Sequence, residues 1–413
     1  MKGNNKAVKI FILGLLSAIG PFSIDMYLPG FPSIAKELNT DVSNISLTLS
    51  SFFIGISSGQ LIYGPLLDKY GRKKPLYFGL SLYILATLGC ALATSVQMLI
   101  GLRFLQAIGG CVGMVASRAM VRDLFDVEEN AKIFSLLMLV VGVSPIIAPT
   151  LGGYITAVLG WRYVFGALVL IGVIILVLCI TILPESKKPN PNYSLAPRAI
   201  LGKFADVFRQ SQFVIYAITG AFTAAGLYAY IAGSPHVFME IFGASEEQYG
   251  WIFSIVAGGL ILATQINAQI LRFTTSQKIV PRAILLQCFT GLLLLAGFIW
   301  HWWGLNSSVV ICCIFLACQG FTFPNASAIA IAPFEQNAGS ASALMGCIQM
   351  LAGTLSSALV SIFHNETAIP MAFVMALCAF TALTVLVTGK RIVKYKCSQQ
   401  QVEKKSTEML SEI

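Results

Sequence analysis

Apolar residues along this chain come in long unbroken runs, punctuated by short polar segments. Twelve runs stand out: residues 9–29, 45–67, 75–94, 97–119, 132–158, 163–183, 211–233, 249–271, 282–302, 308–332, 340–363 and 370–389. A hydrocarbon layer about 30 Å thick is crossed by roughly 20 apolar residues in helical form. Backbone facing lipid must satisfy its own hydrogen bonds, which leaves helices or a closed barrel. Barrel strands alternate apolar and polar positions; these runs do not, so the pattern predicts an all-α membrane protein with twelve transmembrane helices. The longest interruption, Pro184 to Gln210, is rich in Pro, Asn, Lys and Arg, the composition of a solvated linker. It separates two six-helix units, 1–183 and 211–389, with 184–210 between them and a polar tail at 390–413.

Composition agrees. Hydrophobic residues make up 56% of the 413 and charged residues only 11%, against about 25% charged in a soluble domain. The mean hydropathy is +0.79, so lipid is the solvent for much of the chain. A net charge of +9 could suggest nucleic acid, but the basic residues sit in short connections between apolar runs, and no nucleic-acid partner is expected. With the N-terminus inside, Lys2, Lys6, Lys9, Lys69, Arg72, Lys73, Lys74, Arg122, Lys132, Lys187, Lys188, Arg198, Lys203, Arg209, Arg272, Lys278 and Arg282 fall on the cytoplasmic side, and only Lys36 and Arg162 fall outside. This bias places both termini in the cytoplasm. Residues Met1 to Lys9 followed by apolar sequence mimic a signal peptide, but the run continues to Leu28 without a small-residue cleavage site and reads as the first span. Nine of the ten cysteines lie within apolar runs, where cysteine behaves as a small apolar residue. No CxxC or Cys/His ligand spacing occurs, so neither a disulfide framework nor a metal or other cofactor is expected.

Two features carry chemistry. In the fourth run, Arg103 and Gln106 precede Gly109-Gly110; an arginine at membrane depth costs roughly 2.5 kcal/mol or more and demands a partner or a watery cavity. Asp25 is the one acid well inside a run. At 1.5 Å per residue, Asp25 lies roughly 9 Å, and Arg103 roughly 7 Å, beyond the middle of its helix. Both displacements point outward, so an Asp25–Arg103 pair at one depth in the cavity is predicted, with each charge snorkelling alone as the alternative. Tyr27, Gln60, Tyr63, Gln106, Tyr228, Tyr230, Gln265, Asn325 and Gln349 are candidate cavity residues, although for any one of them hydrogen bonding between helices is the simpler role.

The short connection after the second run reads Gly64-Pro-Leu-Leu-Asp-Lys-Tyr-Gly-Arg-Lys-Lys-Pro75. Gly64 would permit close helix contact and Gly71 a tight turn. Asp68 could face the N–H groups at the start of another helix, for which Gly339-Ser-Ala-Ser is a candidate. The segment resembles the loop motif of the major facilitator superfamily, and faint internal similarity between two six-helix halves fits the same fold. The resemblance implies two pseudo-symmetric bundles and a latch closing the cytoplasmic side, with Arg72 paired to Asp123. The second-half copy of the motif, Gln269-Ile-Leu-Arg-Phe-Thr-Thr-Ser, has lost the aspartate and the glycine–arginine pair.

Ser23-Ile-Asp-Met-Tyr-Leu-Pro-Gly-Phe-Pro resembles the first-helix signature of the Bcr/CflA subfamily of twelve-helix drug:proton antiporters. Gly59-Gln-Leu-Ile-Tyr-Gly-Pro, Ala116-Ser-Arg-Ala-Met-Val-Arg-Asp-Leu-Phe, Pro324-Asn-Ala and Gly339-Ser-Ala-Ser-Ala support it. The resemblance implies proton-coupled multidrug efflux across the bacterial inner membrane, driven by the proton gradient, with Asp25 as the proton-linked acid, Arg103 as the fourth-helix arginine, a small-molecule substrate and a monomeric carrier. Ser144-Pro-Ile-Ile-Ala-Pro-Thr-Leu-Gly-Gly153 resembles the antiporter motif; Pro145, Pro149, Gly152 and Gly153 match it, while Ser144 and Ala148 replace its two leading glycines. Export of an endogenous metabolite or amino acid is the alternative. A membrane enzyme would need catalytic His, Cys or paired carboxylates at depth, which the sequence lacks, and a receptor would need a soluble signalling domain.

Overall fold

Each apolar run becomes a helix. The computed structural model describes residues 2–125, 127–190, 197–334 and 338–411. The helices are α1 (Lys2–Asp25), α2 (Phe31–Glu37), α3 (Val42–Tyr70), α4 (Lys73–Ala91), α5 (Val96–Leu124), α6 (Val127–Leu159), α7 (Trp161–Thr181), α8 (Pro197–Phe208), α9 (Ser211–Pro235), α10 (Glu246–Ile270), α11 (Ser276–Ile299), α12 (Leu305–Ile331), α13 (Ala338–Ile362) and α14 (Ile369–Ser411). Among the described residues, twelve helices are long and apolar enough to cross a membrane. The exceptions to the expected pattern are instructive. The first span breaks after Asp25 into a 3₁₀ turn, Leu28–Gly30, because Pro29 and Pro32 cannot continue the hydrogen-bond ladder, and α2 completes the crossing. A helix, α8, lies within the segment read as solvated linker. The last helix continues past residue 389 to Ser411.

α1 and α3 to α7 pack together as one bundle, and α9 to α14 as another. Close approach inside the first rests on glycine: a Cβ on Gly109 would lie 2.4 Å from the backbone nitrogen of Tyr83 on α4, and one on Gly55 would lie 2.6 Å from the Phe104 carbonyl oxygen on α5. Large apolar residues such as Phe78, Leu85, Leu170 and Phe289 are exposed on the rim, which suits a surface wetted by lipid. The halves meet through two equivalent pairings, the second helix of one against the fifth of the other: α3 with α13 and α6 with α10.

The two ends of this seam differ. On the side away from the termini, Ser46 Oγ donates to the Ala232 carbonyl (2.9 Å) and Ser50 Oγ to Ser357 Oγ (3.0 Å). Ser254 Oγ donates to the Ile146 carbonyl (2.7 Å) and lies 3.0 Å from Thr150 Oγ1. Ser57, midway along α3, reaches Cys347. Toward the termini no hydrogen bond joins the halves among the described residues. There Gly64 has no atom within 4 Å of where a Cβ would stand, so the close helix contact expected of it is not made in this conformation. The halves are sealed at the far side and part toward the termini.

Candidate functional site

Asp25 ends α1 at the seam. It is 4% exposed, with no hydrogen bond or ion pair from the described residues, and it lies within electrostatic reach of the Tyr228 and Tyr249 phenols of the other half. Arg103 is wholly buried inside the first bundle. Its Nη1 donates to the Ser23 carbonyl (2.9 Å) and to Gln106 Oε1 (2.7 Å). Its guanidinium carbon sits 4.2 Å from the Phe52 ring centroid and 4.6 Å from that of Tyr27. Nε and Nη2 are buried without a hydrogen-bond partner, so the aromatic faces supply much of the cation's stabilisation.

The predicted Asp25–Arg103 pair is therefore not formed. Depth alone suggested it, and helix phase defeats it. Ser23 and Asp25 are two residues apart, about 200° around a helix of 3.6 residues per turn. The face carrying Ser23, whose hydroxyl lies 2.8 Å from Tyr83 Oη, turns inward to α4 and α5. The face carrying Asp25 turns to the seam.

The candidate cavity residues divide in the same way. Gln60, Tyr228 and Gln349 line the seam: Gln60 Oε1 would lie 2.2 Å from a Cβ on Gly346 of α13, the Tyr228 ring is 4.6 Å from that of Phe53, and Gln349 lies near the Tyr228 hydroxyl, which donates to Met350 Sδ (3.9 Å). Gln265 is exposed on α10. The other five are internal to one bundle. Tyr27 Oη pairs with Thr48 Oγ1 (2.9 Å), Gln106 Nε2 donates to Thr87 (2.9 Å), and Tyr63 packs against α4 at Gly79. The Tyr230 ring lies 5.7 Å from that of Phe253, tilted 36° to it, and Asn325 Nδ2 donates to Asn267 (2.7 Å) while its Oδ1 accepts from Ser276 (2.6 Å).

The latch loop follows its sequence more closely. Gly71 adopts φ +82°, a value open to glycine at little cost. It turns the chain so that Arg72 Nε donates to Asp123 Oδ2 (2.7 Å) and Nη2 to Oδ1 (3.3 Å), while Nη1 reaches Asp68 (3.0 Å). Burial works against the charge, but hydrogen bonds and charges from Asp123 and Asp68 hold the Arg72 pKa above its usual value. Asp68 also accepts from Lys187 Nζ (2.8 Å). Of its expected partner, the start of α13, residues 335–337 and the side chains of 338–340 lie outside those described.

Sequence reasoning missed the strap that holds this loop. Glu185 accepts from the backbone nitrogens of Arg72 (2.7 Å) and Lys73 (3.1 Å), capping α4. Ser186 donates to Asp123 (3.0 Å), and the Asn190 nitrogen to the Lys69 carbonyl (3.0 Å). The run of polar residues after the sixth span was the available signal, but nothing in it names partners over a hundred residues away.

On α6, with Pro145 and Pro149 inside the helix, the paired glycines face two ways. A Cβ on Gly152 would lie 2.0 Å from the Met26 carbonyl oxygen, next to Asp25, and one on Gly153 would lie 2.5 Å from that of Glu246, across the seam. Ala148 is fully buried, and Ser144 Oγ bonds within its own helix (2.9 Å). Alanine and serine thus replace the motif's leading glycines without opening the packing. α6 packs against both the Asp25 turn and the other half.

Comparison with known proteins agrees with this architecture. Residues 13–357 match the Major Facilitator Superfamily. An uncharacterised MFS-type transporter, YdgK of Bacillus subtilis, is 33% identical over 375 residues, covering 90% of this chain and 93% of that one. A bicyclomycin resistance protein homolog of Haemophilus influenzae is 31% identical, covering 90% and 94%. The multidrug resistance protein MdtL of Escherichia coli is 30% identical, covering 81% and 83%. Among solved structures, a D-xylose-proton symporter superposes with TM-score 0.75 at 16% identity, covering 91% and 96%. A bacterial homolog of the lysosomal transporter Spinster, in an inward-facing and unoccupied conformation, gives 0.72 at 14% identity, covering 94% and 96%. With its two six-helix bundles, its latch loop and relatives matched nearly end to end, the chain belongs to the Major Facilitator Superfamily, within the Bcr/CflA, bicyclomycin-resistance group.

Proposed function

We propose that the protein exports drugs from the cytoplasm across the bacterial inner membrane in exchange for protons, with both termini cytoplasmic. The observation that carries this is Asp25, a lone carboxyl group at the seam without a hydrogen bond or ion pair from the described residues. Sealing a charged carboxylate away from water without a partner is costly. The carrier therefore changes state readily when Asp25 holds a proton or faces a substrate that compensates it, and reluctantly when it holds neither. A proton entering from outside and a substrate entering from the cytoplasm compete for the same group, which is the requirement for antiport. Alternating access follows as the two bundles rock about the α3–α13 and α6–α10 contacts.

Arg103 has a different part from the one first expected. Bound to the Ser23 carbonyl and Gln106, it fixes the last turn of α1 and so the position of Asp25. Gln60, Tyr228 and Gln349 supply hydrogen-bonding groups at the seam, and Phe53 supplies apolar surface. The names of the Haemophilus influenzae and Escherichia coli relatives support drugs as cargo, and the protein is taken as a monomer. The test is uptake into inverted membrane vesicles under an imposed pH gradient, scanned over cationic, neutral and zwitterionic compounds. Gradient-driven accumulation of drug-like compounds supports the proposal; accumulation of endogenous metabolites alone would favour metabolite export.

A further inference from the structure

Two of the chain's three histidines meet at the sealed end of the seam. His236 follows α9, and His364 follows α13. Their ring centroids are 4.4 Å apart. His236 Nδ1 pairs with Glu240, and its Nε2 is buried without a hydrogen-bond partner. Both rings border a cavity of about 10 Å³, closed on its third side by Val42, Ser43 and Ser46 at the head of α3, from the other half. That is roughly the room of one water molecule. The Ser46–Ala232 hydrogen bond closes the same spot. The imidazole pair thus belongs to one bundle, and the other bundle is its lid.

We propose that His236 and His364 form a proton-sensing element of the outer gate, which parts when the outside is acid. The charges on the elements packed around them are Lys36 and Glu37 on α2, Asp41 ahead of α3, Glu240 on the His236 turn, Glu246 and Glu247 at the head of α10, and Glu366 beside His364. Glu37 is engaged by Arg162 and Trp161. The groups that act on His364 are His236, which opposes its charge, and Glu240 and Asp41, which favour it. Burial and the neighbouring His236 outweigh the acids and hold the His364 pKa below the ordinary 6.5. A proton on His364 is disfavoured by burial under the lid and by the neighbouring His236 ring; with the lid away, water screens the charge. Protons therefore bind more tightly to the outward-open form, and acid shifts the balance toward it. The window lies between the depressed value of the closed form and 6.5. This stage precedes Asp25: the sensor admits the proton that Asp25 then carries, and so it rests on the alternating-access proposal above.

The test measures the gate and not transport. Spin labels at Thr94→Cys and Asn306→Cys, exposed outer positions of opposite halves, report the outer opening in full-length protein with Cys313 and Cys397 replaced by serine. An Asp25→Asn background silences the coupling site. Between pH 7.5 and 5.5 the outward-open population is expected to rise about fivefold, within the limit of tenfold per unit of pKa difference. His364→Gln should abolish the rise, and His364→Lys should hold the gate open at both pH values. An unchanged pH response in His364→Gln, or a His364→Lys gate that still closes, overturns the proposal. Absence of proton-driven export by the wild type would instead sink antiport and leave this result standing.

Discussion

Beside the Ser254 hydrogen bonds, the antiporter-type helix meets the other half where glycine lies against backbone, and that part of the contact can be loaded without replacing a polar side chain. Gly153→Ala places a Cβ 2.5 Å from the Glu246 carbonyl oxygen, and Gly250→Ala places one 2.9 Å from that of Pro149. Both distances fall short of the 3.4 Å at which ordinary contact begins, and the obstacle in each case is backbone. Overpacking of this kind costs about 1–3 kcal/mol. The cost is confined to the state in which the far side is sealed, because separation of α6 from α10 relieves it. One alanine should therefore raise the ratio of outward-open to inward-open protein by about 5- to 150-fold. The two sites share one contact, so the double variant should show less than the sum. Gly109→Ala is the control: its clash, 2.4 Å from the Tyr83 nitrogen, is internal to the first bundle. It should lower thermal stability without moving the conformational ratio. The ratio is read from distances between labels on the outer loops, alongside export rate, which falls as the inward-open state empties. If Gly153→Ala leaves the ratio and the rate at wild-type values, the Gly153 contact between α6 and α10 is not part of the seal on the far side.

Substitutions at two further residues test the supports of the site. Arg103→Ala should lower stability by about 2–4 kcal/mol, because the Gln106 amide and the space between Phe52 and Tyr27 lose their occupant. Arg103→Lys should recover only part of that, since an ammonium cannot lie flat between two rings; thermal unfolding of purified protein in detergent decides both. Glu185→Gln should weaken the cap on α4 by about 0.5–2 kcal/mol. It is read as faster hydrogen exchange at the amides of Arg72 and Lys73, with exchange deep in α4 unchanged.

Much of the fold was legible because a lipid solvent leaves the sequence few options. Twelve apolar runs became twelve helices, and the Gly71 turn and the Arg72–Asp123 pair lay where the loop motif put them. What escaped was angular or long-range. Asp25 and Arg103 were matched by height along their helices, but the 200° between Ser23 and Asp25 sends the arginine inward and the acid to the seam. Tyr27, Tyr63, Gln106, Tyr230 and Asn325 carry polar atoms at membrane depth, as cavity residues do, yet all five pack inside one bundle, where Tyr27, Gln106 and Asn325 hydrogen-bond to their neighbours. Gly64 looked like a packing glycine and faces open space in this state, whereas Gly55 and Gly109 make the close approaches. Glu185 sits 113 residues from the backbone it caps, and no local pattern reports such a partner. The seam serines Ser46, Ser50 and Ser254 carry no local signal that names their partners; only the assembled halves show them hydrogen-bonding across the seam.

Asp25 is the group proposed to carry the exchange, and neutralising it tests that role without intermediaries. In inverted vesicles with an imposed pH gradient, Asp25→Asn should abolish gradient-driven drug accumulation, and drug binding to the purified protein should weaken and lose its dependence on pH. Asp25→Glu should retain part of the transport. Full gradient-driven accumulation by Asp25→Asn would contradict the account outright.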